Sequence, residues 1–302
     1  MNASFSALPA WIPAAWLFVL GSCVGSFLNV VIARLPEGAS LVKPRSRCPK
    51  CGHQLSWFEN IPLFSWLALR GKCRNCKAPI SVIYPAVELL TALLFLAALH
   101  RFDWDYPLLP ALLLICLLVP LTFIDLAHWI LPHEVTIPGI VVGLLVAIPL
   151  GWPHLRDCAI GAAAGFGAFW AMEWVGEKIF KKEALGGGDK FLLALLGAFL
   201  TWRALLGIIF LSSLQGSIVG VTLILLRGRA GPAPEAPPEA PAPAAEASEG
   251  DPEKLEDDWV PGPTNIPFGP WLALAALEIL LFGGSLARFA PGLTGDLLGF
   301  GG

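Results

Sequence analysis

The sequence predicts an all-α polytopic membrane protein with about eight transmembrane helices and a small polar insert between the first two. Of its 302 residues, 56% are hydrophobic and only 14% are charged, and the mean hydropathy is +0.68. This balance lies far from that of a soluble globular domain. Several apolar runs also reach the roughly 20 residues that a helix needs to cross a bilayer. The chain is therefore expected to be an integral membrane protein.

The apolar runs define the predicted spans. They are 11–33, 85–100, 107–124, 134–151, 158–176, 190–202, 204–226 and 268–289. The weakest is 190–202, which is short and is separated from the next run only by Arg203. These two runs could instead form one bent helix. The sequence thus leaves open whether 190–226 crosses the membrane once or twice.

Basic residues predict the orientation of the spans. No Lys or Arg precedes the first run and Arg34 follows it directly, so we expect a retained anchor with its amino end outside. Nine of the 20 Lys and Arg residues lie within 34–77. Four more surround a glycine run, namely Lys178, Lys181, Lys182 and Lys190. Because cytoplasmic loops are enriched in basic residues, both segments should be cytoplasmic.

Residues 34–83 form the insert, which contains two cysteine pairs. Cys48-Pro49-Lys50-Cys51 and Cys73-Arg74-Asn75-Cys76 are separated by 21 residues. Paired CxxC sequences in a cytosolic loop predict a zinc-ribbon-like fold in which four thiolates hold one Zn²⁺ tetrahedrally. Such a site has no position left for water, so its expected role is structural. Disulfides are disfavoured by a reducing cytosol, and a redox-active CxxC would not require two matched pairs.

The remaining chain divides by composition. We expect 1–33 to be the first transmembrane helix and 84–229 to be the membrane core. Residues 230–266 are rich in Pro, Ala and Glu, so they can neither cross lipid nor bury a core and should form a disordered linker. The last helix and a tail follow at 267–302.

Two acidic residues at the edges of apolar runs are the candidate catalytic residues. Topology places Asp125 at the inner end of the third span, and Asp189 closes the run Gly186-Gly187-Gly188-Asp189 before the sixth. A carboxylate beside hydrocarbon is costly and usually marks function. Two neighbouring carboxyl groups would share a proton, which is what peptide hydrolysis by water needs. We expect Gly186, Gly188 and Lys190 to support the loop that carries Asp189.

Two other functions fit some of these features. In a non-enzymatic zinc-ribbon sensor or assembly protein, both aspartates would be ordinary polar helix ends, but the glycine run would have no purpose. In a proton-coupled transporter, acids should lie near the middle of the bilayer rather than at one edge. Three further acids lie in apolar runs, where they could be functional or could pair with a neighbouring helix: Glu88, Glu173 and Glu278.

Ordered motifs along nearly the whole chain closely resemble those of the type IV prepilin peptidases, which are GxGD aspartyl proteases. The matching segments are Gly25-Ser26-Phe27-Leu28-Asn29, Arg34-Leu35-Pro36, the four cysteines around Glu59-Asn60-Ile61-Pro62, Arg70-Gly71-Lys72-Cys73, Tyr84-Pro85 with Glu88, Ile124-Asp125, Leu131-Pro132, Gly186-Gly187-Gly188-Asp189 and Ile266-Pro267-Phe268-Gly269-Pro270.

The resemblance implies that Asp125 and Asp189 cut short basic leaders from type IV prepilins or type II secretion pseudopilins. It places this reaction at the cytoplasmic face of a bacterial inner membrane, among lipid, with no nucleic-acid partner. It also implies N-methylation of the new amino terminus with S-adenosyl-L-methionine as the methyl donor. By the same resemblance, Gly71 and Lys72 are associated with methylation. The oligomeric state, the residues that bind the methyl donor and the purpose of the linker are not predicted.

Overall fold

The computed structural model describes residues 9, 11–180, 187–228 and 266–289, and these are helical almost throughout. The helices are α1 (Trp11–Arg34), α2 (Phe64–Ala68), α3 (Ile83–Phe102), α4 (Leu108–His128), α5 (His133–Ala147), α6 (Trp152–Phe180), α7 (Asp189–Arg227) and α8 (Gly269–Phe289). The described residues form no strand, only two isolated bridges in the insert. The predicted linker lies outside the described residues except for Ile266. The expected all-α architecture is confirmed.

Glycines allow the first helices to pack backbone against backbone. A Cβ on Gly21 would lie 2.8 Å from Cα of Ala92, and one on Gly25 would lie 2.7 Å from Cα of Glu88. Residue numbers rise along α1 from Gly21 to Gly25, whereas those of their partners on α3 fall from Ala92 to Glu88. The two helices are therefore antiparallel. Small residues are the usual means of close helix association in lipid, where no hydrophobic force draws helices together. The insert between α1 and α3 therefore lies at the end of this pair.

Helix α7 changes direction at Thr201, whose backbone angles (φ 69°, ψ 166°) are not helical. The side chain of Ile266 lies 2.9 Å from where a Cβ on Gly220 would be, and Gly269 begins α8 three residues later. Leu131 contacts both Gly269 and Gly188, which precedes α7. If α7 were straight, residues 189 and 220 would be about 46 Å apart. The second arm of α7 must therefore return toward the end at which the first arm begins.

The described residues contain six helices that are long and apolar enough to cross a membrane, and α7 counts as one of them. Helix α8 adds a shorter apolar stretch, Gly269–Gly283. A multi-pass membrane protein is thus confirmed, whereas the number of eight spans stays a prediction. The first arm of α7, residues 189–200, is only about 18 Å long at the usual helical rise, less than the roughly 30 Å of hydrocarbon in a bilayer.

Candidate active site and cysteine cluster

Asp125 lies near the carboxyl end of α4, three residues before the helix ends at His128. The helix is closed by Trp129, which adopts a left-handed conformation (φ 59°) and donates its N–H to the Asp125 carbonyl at 2.9 Å. The Asp125 side chain is only 5% exposed. The sequence therefore places a buried carboxyl group one turn before the end of an apolar helix.

Asp189 is the first residue of α7 and is 7% exposed. Gly188 precedes it and accepts backbone hydrogen bonds from Phe191 at 3.0 Å and Leu192 at 3.2 Å, so the glycine run leads directly into the helix. A Cβ on Gly188 would lie 2.7 Å from Cβ of Leu131. Any larger residue at 188 would thus displace the loop that joins α4 to α5. Gly186 lies outside the described residues.

The start of α8 closes over the Asp125 carboxyl group. A Cβ on Gly269 would lie 2.5 Å from Oδ2 of Asp125 and 3.4 Å from the Leu131 side chain. The backbone N–H of Gly269 also lies near the Asp125 carboxyl group. Only glycine lets the α8 backbone approach this closely. The start of α7, the end of α4 and the start of α8 therefore meet around Leu131.

The structure brings the two predicted aspartates together. Their carboxyl groups are close enough for the charge of Asp189 to act on Asp125. Oδ2 of Asp125 is fully buried and has no hydrogen-bond partner among the described residues. Buried polar atoms are rarely left unpaired, so this oxygen is open to a proton or to a ligand. Because the charges of the two buried carboxyl groups interact, the state in which one of them is protonated is favoured.

The third predicted support residue, Lys190, links α7 to α6. Its Nζ lies 2.7 Å from Oε2 of Glu173, and both side chains are about one-fifth exposed. Oε1 of Glu173 also lies 4.0 Å from where a Cβ on Gly187 would be. Next along α7, the ring of Phe191 lies 4.5 Å from the His133 ring. The start of α7 is thus held from two sides by neighbouring helices.

The four cysteines of the insert converge as the spacing predicted. Their sulfur atoms all lie within 4.8 Å of one another, with Cys48 3.8 Å from Cys76 and Cys51 4.0 Å from Cys73. Four thiolates bound to Zn²⁺ at about 2.3 Å would be about 3.8 Å apart. Disulfide sulfurs would be only about 2.05 Å apart. The cluster fits a tetrahedral metal ion.

The two cysteine turns have the same backbone structure. The first cysteine of each donates its N–H to the carbonyl five residues later, Cys48 to His53 at 2.9 Å and Cys73 to Ala78 at 2.8 Å. At the residue before that carbonyl, each turn has a positive φ, 71° at Gly52 and 58° at Lys77. The N–H of Cys51 is the main cause that lowers the pKa of the Cys48 thiol, and the N–H of His53 similarly lowers the pKa of Cys51. Both effects favour the thiolates that bind metal.

The two residues assigned to methylation by resemblance differ in their surroundings. Gly71 has a φ of +66°, and a Cβ there would lie 2.8 Å from the Trp66 ring. Lys72 is exposed, and its backbone forms an isolated bridge with Pro79. The structure thus gives Gly71 a packing constraint, whereas Lys72 faces solvent.

The structure also shows which groups bind the three acids in apolar runs. Glu88 accepts the Leu63 N–H at 2.7 Å, Glu173 pairs with Lys190, and Glu278 accepts a hydrogen bond from Gln215 of α7. Glu173 and Glu278 therefore pair with neighbouring helices, whereas Glu88 binds the insert. The contacts of Leu131 with Gly188 and Gly269, and of Gly269 with Asp125, were not predicted from the sequence. Their only signal was their place in the motifs Leu131-Pro132 and Phe268-Gly269-Pro270.

Comparison with known proteins gives concordant matches along the chain. Residues 19–102 match the bacterial peptidase A24 N-terminal domain, and 112–221 match the type IV leader peptidase family. A prepilin leader peptidase/N-methyltransferase of Myxococcus xanthus is 53% identical, over 97% of this chain and 98% of the relative. Those of Aeromonas hydrophila (40%; 92% and 94% covered) and Pseudomonas aeruginosa (36%; 89% and 90%) are also similar. No solved structure matched the chain.

Proposed function

Because the chain belongs to the type IV prepilin peptidase family and is therefore a peptidase and methyltransferase, we propose that Asp125 and Asp189 cut the leader from prepilins. The observation that carries this proposal is that two buried carboxyl groups, 64 positions apart in sequence, lie close enough at the end of the helix bundle for their charges to interact. Family membership favours this enzyme over the sensor and the transporter.

Hydrolysis follows from a proton shared by the pair. The ionised carboxyl group takes a proton from water, and the protonated one polarises the scissile carbonyl. The water oxygen attacks the carbonyl carbon, and the pair then returns a proton to the leaving amine as the C–N bond breaks. Burial of both groups supports this mechanism, because two like charges in a poorly solvated site cannot both persist.

The position of the pair suits a substrate that is itself inserted in the membrane. Asp125 lies one turn before the end of one apolar helix and Asp189 begins another, so both lie near the edge of the apolar region. A prepilin would pack its apolar segment against this bundle within the lipid, and its basic leader would reach the pair from the cytoplasm. The basic insert supports a cytoplasmic orientation in a bacterial inner membrane. The same chemistry would serve pseudopilins.

The second activity methylates the amino terminus that cleavage creates. S-adenosyl-L-methionine would supply an electrophilic methyl group to that amine. We assign Gly71 and Lys72 to this activity on resemblance, and the packing of Gly71 against Trp66 in the insert is compatible with such a role. Zn²⁺ on Cys48, Cys51, Cys73 and Cys76 would hold the insert together, since the four sulfurs leave no open position for catalysis.

The peptidase proposal is tested by Asp125→Asn and Asp189→Asn, which keep side-chain size but remove the carboxyl group. Each variant should lower leader cleavage of a co-purified prepilin by at least about a hundredfold, while methylation of a pre-cleaved substrate survives. Asp103→Asn, an exposed change in the turn after α3, is the matched control and should cleave normally. Full processing by either aspartate variant would reject the proposal.

A further inference from the structure

A cavity of about 500 Å³ lies between α1, α3 and the insert. It is lined by residues of all three, including Asn29 and Ser26 of α1, Glu88 and Tyr84 of α3, and Glu59 and Trp66 of the insert. Its volume falls within the roughly 300–1,000 Å³ that sites for small molecules occupy. Asp125, Asp189 and their loops do not line it. It is therefore separate from the proposed peptidase site.

Two carboxyl groups that the proposed peptidase mechanism does not use line this cavity. Glu88 is 8% exposed and binds the Leu63 N–H through Oε2. Glu59 is 7% exposed, and the Ser56 N–H, which it accepts at 2.8 Å, is the main cause that lowers its pKa. These two carboxyl groups favour a positively charged group on a ligand. Four basic residues, Arg34, Arg47, Lys50 and Arg74, also line the cavity and favour an acidic group on the same ligand.

An aromatic wall completes the cavity. Trp66 lines it and donates its Nε1–H to the Ile80 carbonyl at 3.3 Å. Gly71 lies against the Trp66 ring, which a Cβ would approach to 2.8 Å, and its positive φ further favours glycine. Gly71 thus allows the Trp66 ring to pack into the cavity wall. A larger residue at position 71 would therefore disturb a ligand in the cavity by moving Trp66, without touching the ligand itself.

We propose that this cavity binds S-adenosyl-L-methionine, with Glu88 facing its positively charged half and Trp66 its adenine. The inference rests on the proposed methyltransferase function. The donor combines the features that the walls favour: an aromatic base for Trp66, a sulfonium cation and an amino group for the carboxyl groups, and a carboxylate for the basic residues. Lys72 does not line the cavity and is not assigned to donor binding. The cavity also adjoins the metal cluster, because Cys48 and Cys73 form part of its lining.

Binding of two donor analogues to the detergent-purified full chain tests the site. Sinefungin carries an amine where the donor has its sulfonium, whereas S-adenosylhomocysteine is uncharged there. Glu88→Gln can still accept the Leu63 N–H, so it should fold. It should weaken sinefungin binding by about tenfold and S-adenosylhomocysteine binding much less, because only the charge is lost. Gly71→Ala should weaken both by about tenfold, by displacing Trp66.

Each variant has a matched control. Glu278→Gln removes a carboxyl group of α8 that does not line the cavity, and Gly38→Ala adds a Cβ at a similar φ (+63°) with nothing within 4 Å. Both should bind the analogues as the unmodified chain does, and all four variants should retain leader cleavage. Calorimetry gives the affinities, and mass spectrometry of the processed pilin gives cleavage and methylation.

The possible outcomes distinguish a wrong cavity assignment from a wrong proposed function. If the unmodified chain binds the analogues and methylates, but Glu88→Gln and Gly71→Ala bind both normally, the cavity assignment is wrong and the proposed function stands. If the unmodified chain neither binds the analogues nor methylates a cleaved pilin, the methyltransferase function itself fails, and the cavity assignment with it. Ultraviolet cross-linking of labelled donor provides a second readout. Labelled peptides should map to the cavity walls, and labelling confined to α4–α8 would overturn the inference.

Discussion

Gly269, at the start of α8, is important to the aspartate pair although it is distant from both aspartates in sequence. Gly269 lies against the Asp125 carboxyl group and directs its N–H toward it. Gly269→Ala should lower leader cleavage by about a hundredfold, because a displacement of about 1 Å at a catalytic group has an effect of that size. The control is Gly283→Ala on the same helix, where the nearest atom lies at 4.0 Å. Equal cleavage by both variants would show that the contact is unimportant.

At this scale the sequence predicted which acids meet but not what surrounds them. Asp125 and Asp189 could be identified because a carboxyl group beside an apolar run is costly and therefore rare. Leu131 and Gly269 could not, since a leucine and a glycine are ordinary in such a chain. Their role depends on which backbones touch, and close packing is a property of the folded bundle rather than of local sequence.

The ion pair between Lys190 and Glu173 links α7 to α6 next to the catalytic loop. We expect Glu173→Gln and Lys190→Met each to slow leader cleavage several-fold, because either change frees the start of α7. The double variant should be little slower than either single one. A half-buried pair is worth about 1 kcal/mol, and a double-mutant cycle measures this coupling. Strictly additive effects on the cleavage rate would mean that the two residues act separately.

Each cysteine turn of the insert is a local structure that metal would lock. The purified chain should contain one Zn²⁺, and Cys48→Ser or Cys76→Ser should lose it. Because metal-binding energy is also folding energy, the insert should then become sensitive to proteolysis. Cys23→Ser in α1 is the control and should keep the metal. Metal analysis and limited proteolysis measure both effects, and a zinc-free variant with an intact, resistant insert would contradict the structural role.

Among the elements, the segment after Asp189 was the least predictable. Most helix limits followed from the apolar runs, since a bilayer fixes their length. The sequence at 190–226 was compatible with one bent helix or two. The structure breaks it at Thr201 with a positive φ, which a β-branched residue seldom adopts. No local propensity predicts such a turn, which lies where Gly161 of α6 packs against the backbone of Gly197 and Thr201.

For the whole molecule, the reversal of α7 at Thr201 places several helix ends on one side of the bundle. The insert, the end of α4 and the start of α7 share that side if α3 to α6 each cross the membrane in turn. The contact of Gly220 with Ile266 brings the second arm of α7 back there as well. Both proposed sites then face one compartment, so a pilin cleaved at the aspartates could reach the methyl donor without crossing the membrane.

This arrangement predicts which single cysteines a membrane-impermeant maleimide can label in intact cells. Glu37→Cys in the insert and Arg227→Cys at the end of α7 should be protected, and Asp103→Cys between α3 and α4 should react. Permeabilised cells should label all three, which controls for local accessibility, and the unmodified chain gives the background from native cysteines. If Arg227→Cys reacts from outside while Glu37→Cys does not, α7 crosses once in a single direction, and the reversal at Thr201 is wrong. If Glu37→Cys and Asp103→Cys exchange behaviour, the basic insert faces outward, and the cytoplasmic orientation of both proposed sites fails.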